Sequence, residues 1–91
     1  MLLNELIDRY GEGAIVTVSP YVLASGETLR WILQIDGEDV PGADVRIEED
    51  PDWTVALLVR GDEQVEIQRW WTTTYRRHGP AGLVRRLGDL R

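Results

Sequence analysis

In the opening segment the apolar residues recur at three- and four-residue intervals. Leu2, Leu3, Leu6, Ile7 and Tyr10 fall on one side, with Asn4, Glu5, Asp8 and Arg9 opposite. This spacing predicts an amphipathic helix, which Gly11 and Gly13 terminate. A helix of about three turns does not persist alone in water, so it needs a surface to pack on.

From residue 29 the period changes to two. Odd positions are apolar through 29–35, 43–47, 53–59 and 65–67, with mostly polar residues between them. Such alternation predicts strands with one covered and one wet face, the odd side chains pointing inward together. The run 14–23 is also β-rich, and Pro20, which has no N–H to donate, marks an edge strand or a bulge there. Turn residues cluster at 25–27, 36–37, 41–42, 49–52 and 61–63. Connections this short force antiparallel neighbours, hence a meander of about five strands. A turn at 61–63 that pairs Arg60 with Gln64 places Val59 opposite Val65, Leu57 opposite Ile67 and Trp53 opposite Trp71.

Near the end the pattern is helical again. Gly79-Pro80 makes a good helix start, and Leu83, Val84, Leu87 and Leu90 follow at helical spacing, with Arg85, Arg86 and Asp89 outward. Residues 72–78 read both ways: three Thr favour a strand, whereas Trp71, Tyr75 and His78 are spaced as on a helix. The expected architecture is an α+β single domain over 1–91. It has an N-terminal helix, an antiparallel meander of about five strands and a C-terminal helix, in two layers.

Composition narrows the chemistry. Ninety-one residues make one domain, whose small core gives modest stability. The chain has no cysteine and one histidine, His78, which excludes a disulfide scaffold, a thiolate zinc site and a His-rich metal centre. All ten basic residues are Arg, so no side chain here supplies a Schiff-base amine or a phosphate-loop lysine. The absence of Lys and Phe, with a single Asn, points to a GC-rich gene, as in some bacteria and their phages. No apolar run approaches the ~20 residues that span a bilayer, and no basic leader precedes residue 5, so a cytoplasmic protein without a membrane partner is expected.

The net charge of −6 is unevenly spread. Residues 1–68 hold four Arg against fifteen acidic residues, and residues 69–91 hold six Arg against Asp89 alone. Either the basic tail folds back onto the acidic body or it meets a ligand. For the second case the candidate nucleic-acid or anion contacts are Arg69, Tyr75, Arg76, Arg77, Arg85 and Arg86, where cations interleave with aromatics. The strongly acidic body would repel phosphate except at close range, which argues against this case.

No motif carries a family resemblance or names a reaction. The hydroxyl residues have no base placed beside them, and His78 lies between Arg77 and Gly79 without a carboxylate in register. The acidic stretches 36–39 and 48–52 do not match the twelve-residue calcium loop, and Gly79-Pro80-Ala81-Gly82 lacks the strand that precedes a phosphate cradle. Arg60-Gly61-Asp62 falls where a hairpin must turn. No catalytic residue, metal ligand or cofactor site is therefore assigned, and the protein is expected not to be an enzyme.

What remains is the wet face. Even positions there are polar except Ile32, Ala56, Leu58 and Trp70. Tryptophan with apolar neighbours and a flanking Arg is the composition of a binding hot spot, so Ile32, Leu58, Trp70 and Arg30 are the expected partner-binding residues. The expected function is protein–protein binding, to a second copy or to another protein, in an accessory, inhibitory or assembly role. The alternative is a nucleic-acid accessory protein using the C-terminal arginines.

Overall fold

A computed structural model describes residues 1–40, 42–79 and 84–91, without the side chains of Pro20 and Leu29. The chain runs α1 (Leu2–Tyr10), β1 (Ile15–Val22), β2 (Thr28–Ile35), β3 (Glu38–Asp39), β4 (Asp44–Glu49), β5 (Trp53–Arg60), β6 (Glu63–Trp71), α2 (Thr72–His78) and β7 (Val84–Arg86), and ends in a 3₁₀ turn, Leu87–Leu90. Every described pairing is antiparallel, in the order β6-β5-β4-β2-β1-β7, with β3 added to β2. The α+β class and the meander are thus as expected, but among the described residues the curled sheet has seven strands instead of about five.

Both additions follow from local chemistry. Asp36 and Gly37 take positive φ values of 51° and 83°, making a two-residue hairpin loop that returns Glu38–Asp39 onto the end of β2. At the C-terminus the expected helical segment is present as the 3₁₀ turn Leu87–Leu90, and ahead of it lies a short strand that was not expected. Val84–Arg86 pairs with Ile15–Thr17. Val84, Leu87 and Leu90 fit helical spacing equally well, but pairing with β1 satisfies backbone groups of an otherwise bare strand. Pro80 and Leu83, on which the helix start rested, lie outside the described residues, as does Pro41. Residues 72–78 are a helix, resolving that ambiguity.

The backbone of Pro20 lies on the side of β1 that faces β7. The Ala14 carbonyl accepts from Leu87 and the Ile15 carbonyl from Asp36, so backbone groups of even residues in β1 face the β7 side. Among the described residues β7 ends opposite Thr17. The bulge also occurs, one residue later, between Tyr21 and Val22.

The core is one cluster in which Leu2 and Leu6 of α1 and Leu87 of the 3₁₀ turn meet Val16, Leu33, Ile35, Ala56, Leu58 and Ile67 from the sheet. Here the uniform parity fails. β4 pairs Arg46 with Leu57 and Ile47 with Ala56, so an odd residue on one strand shares a face with an even residue on the next. Thr54, Ala56 and Leu58 therefore point inward, while Trp53, Val55, Leu57 and Val59 line the outer face. β5 is apolar on both faces, so its own pattern does not say which one is covered.

The β5–β6 hairpin departs from the expected register over half its length. Gly61, at φ 59°, and Asp62 form a two-residue loop that pairs Arg60 with Glu63, not Gln64. A bulge at Ile67 absorbs the one-residue difference, and beyond it Thr54 opposes Trp70 and Trp53 opposes Trp71, as expected. The bulge keeps Val65 and Ile67 on the core side and puts Trp70 there too. Its carbonyl is capped from the other end of the sheet: Arg85 of β7 donates from Nη1 to the Ile67 oxygen at 2.6 Å and to Gln68 Oε1 at 3.1 Å, linking the two outermost strands across the curl.

Between β2 and β4 the sheet is nearly open, bridged among the described residues by the single pair Trp31–Val45. Past Trp31 the tip of the β1–β2 hairpin parts from β4. That tip, the β4–β5 turn, the start of β5, the end of β6 and α2 therefore share one end of the sheet.

Candidate functional site

The expected partner-binding residues do not converge. Leu58 is only 1% exposed and lies in the core, and Trp70 is half-buried on the same inner face, packed against the core and against Tyr75 at 5.4 Å between ring centres. Neither forms a docking surface. Ile32, half-buried, and Arg30, exposed, lie on the outer side of β2, where Arg30 reaches the Tyr21 ring and Asp44. The wet-face tryptophan is the neighbour, Trp71, at 58% exposure. The even-odd pattern pointed to the wrong one because it carries no sign of the parity change at the β4–β5 turn.

Trp71 is held in place by its surroundings. It stacks on Trp53 across the β5–β6 ladder, with ring centres 4.0 Å apart and planes inclined by 20°, and the Arg69 guanidinium lies 5.4 Å from the Trp53 ring centre. Arg69 is in turn held by Glu66 at 2.8 Å. Further along this face, Arg46 reaches across β5 to Gln64 Oε1 at 3.0 Å, and beneath such long polar side chains Leu57 is 6% exposed. The apolar row of β5 is thus roofed at Leu57 and bare at its tryptophan end.

The adjoining β4–β5 turn is acidic and tightly built. Asp50 Oδ1 accepts from the backbone N–H groups of Asp52 and Trp53. Thr72, the first residue of α2, donates its N–H to the Asp52 carbonyl and its hydroxyl to the Asp50 carbonyl at 2.6 Å. With that proton committed, the Thr54 hydroxyl must donate to Thr72 Oγ1, 3.0 Å away; both threonines are buried. A two-hydroxyl relay therefore ties the turn to the strand and helix beside it. Between turn and sheet lies a cleft of about 220 Å³, lined by Glu48, Glu49, Asp50, Trp53 and Val55.

The Asp50 carboxyl is held below the usual carboxylate range by the Trp53 N–H, then by the Asp52 N–H, and Glu5 by its hydrogen bond from Arg60. Protonation is therefore harder in the folded chain than in the unfolded one. Stability from these groups is complete above the ordinary carboxylate values, 3.8 for Asp50 and 4.5 for Glu5, and is lost as pH falls below them toward the lowered folded-state values. Urea titrations from pH 6 to pH 3 should show this decline, and Asp50→Asn should make it shallower. An unchanged acid limb in that variant would contradict the assignment.

The basic tail largely folds onto the acidic body. Arg76 pairs with Glu49 at 2.7 Å and Arg91 with Glu12 at 2.7 Å, Arg69 with Glu66, and Arg85 binds carbonyls inside the curl. Tyr75 is half-buried, its phenol raised by burial and by Glu49. Arg77 is exposed on α2 and Arg86 on β7. The six residues nominated for nucleic acid are thus dispersed over several surfaces. Beside His78 is an open hollow of about 110 Å³ lined by Thr73, Thr74 and Arg77, with no carboxylate. Among the described residues no group of three His, Cys, Asp or Glu could hold a metal ion, and no helix is long and apolar enough to cross a membrane.

Comparison of the chain with protein-family models, with curated proteins and with solved structures gave no match.

Proposed function

We propose that this protein acts by binding another protein through the end of its sheet that carries Trp53, Trp71 and the acidic turn. The observation that carries this reading is Trp71: more than half exposed, stacked on a second tryptophan and flanked by Arg69. A large aromatic exposed on a rigid strand binds with little loss of side-chain entropy, and Trp and Arg dominate binding hot spots. Tyr21, Val22 and Leu23 are also exposed, on the hairpin tip at the same end. In this reading α1 and the 3₁₀ turn form the second of two layers on the inner face, leaving the outer face for contact. The protein is a non-enzymatic, cytoplasmic accessory, inhibitor or assembly factor of a high-GC bacterium or phage.

Affinity capture from the producing cells tests this with three baits: the native chain, Trp71→Ser and Glu38→Gln at the opposite end. A partner retained by the native chain and by Glu38→Gln should be lost about tenfold or more with Trp71→Ser, while far-UV circular dichroism stays unchanged. Equal capture by all three would overturn the proposal. Light scattering on the pure protein identifies the partner as a second copy if a native dimer is dissociated by Trp71→Ser.

A further inference from the structure

Resting on that reading of the contact end, we propose that the partner presents an arginine or lysine side chain that inserts into the cleft between the acidic turn and Trp53. The cleft has two kinds of wall. Trp53 and Val55 supply an aromatic and an aliphatic surface, while Glu48, Glu49 and Asp50 supply carboxylates. A long basic side chain matches both, because its methylene stem packs on apolar surface while its charged head seeks carboxylate and aromatic faces.

The chain already shows this preference. Its own guanidinium groups gather at the cleft's margins: Arg69 near the Trp53 ring, Arg76 on Glu49 and Arg46 on Glu48 at 3.0 Å. Arg46 and Arg76 are matched by Glu48 and Glu49, and Arg69 by Glu66 outside the cleft, which leaves Asp50 and the neighbouring Asp52 as the excess. Asp50 has one oxygen engaged by backbone N–H groups, and neither Asp50 nor Asp52 has an ion-pair partner among the described residues. The excess extends beyond the cleft, since residues 1–68 carry eleven more acidic than basic groups, fifteen against four. Such a field speeds encounter with a cationic partner and repels an acidic one. The cleft then supplies the specificity that a diffuse field lacks.

Hexa-arginine, with hexa-glutamate as control, is a direct probe, followed by tryptophan fluorescence at low salt. Two triple variants with the same charge change separate cleft from field. One is Glu48→Gln, Glu49→Gln and Asp50→Asn, in which each amide keeps an acceptor oxygen for its present partner. The other is Asp8→Asn, Glu38→Gln and Asp62→Asn, at exposed positions outside the cleft. Hexa-arginine should bind the native chain and the second triple alike, and the cleft triple about tenfold or more weaker. Equal weakening of the two triples would mean attraction by net charge alone and overturn the inference. So would absence of hexa-arginine binding to the native chain. Neither result touches the Trp71-dependent capture, so the two proposals fail separately.

Discussion

Trp70→Ala should lower the folding stability by about 3 kcal/mol, whereas Trp71→Ala should cost about 1 kcal/mol or less. The adjacent residues differ in what they touch. Trp70 lies on the core face, packed against the hydrophobic cluster and Tyr75, so its removal leaves a void that the rigid sheet and α2 cannot close. Trp71 is 58% exposed, and its removal forfeits chiefly the stack on Trp53. In a domain of this size 3 kcal/mol is a large part of the total and corresponds to a fall of about 12–24 °C in melting midpoint. Thermal and urea denaturation of the two variants is the measurement. Equal losses, or a larger loss for Trp71→Ala, would mean that the inner and outer faces of β6 are interchanged. The protein-binding proposal would then lose its surface.

This contrast also shows how far a hydrophobic pattern reaches. It identified α1 through Leu2 and Leu6, the order of the central meander, and the Thr54–Trp70 and Trp53–Trp71 pairs. Those depend on local periodicity and turn chemistry, which are written in neighbouring residues. It did not identify which side of β5 is covered, because Val55, Leu57, Ala56 and Leu58 put apolar groups on both sides. That choice belongs to the β4–β5 turn, where Asp50 accepts from Asp52 and Trp53 and sets an odd-to-even register. Nor did it reveal the bulge at Ile67, which shifts half of β6 by one residue. Because Trp70 and Trp71 are neighbours, one face error exchanges core for surface. The C-terminal strand was hidden for a different reason: its partner, β1, is about seventy residues away, and a three-residue strand carries no period of its own.

Arg85→Leu should cost about 2–3 kcal/mol, far more than loss of a surface arginine, for which Arg69→Leu is the comparison. From sequence the two belong to one basic segment, but their surroundings differ. Arg69 forms an exposed pair with Glu66, of the kind worth about 1 kcal/mol or less. Arg85 projects from β7 to the far edge of the sheet, donating to the Ile67 carbonyl and Gln68, and from Nη2 to the Asp89 carbonyl at 3.2 Å. Leucine fills part of the space but leaves the bulge carbonyl without a donor in a part-buried position, and the two outermost strands lose their link. Arg85→Lys should recover only part of the loss, because a single ammonium cannot reproduce the guanidinium fork that spans both acceptors on β6. Urea denaturation of the three variants orders them as Arg69→Leu, Arg85→Lys, Arg85→Leu from most to least stable. Equal stability of Arg85→Leu and Arg69→Leu would mean that Arg85 faces solvent and the curl is closed by packing alone, which would return that arginine to the pool available for a polyanion.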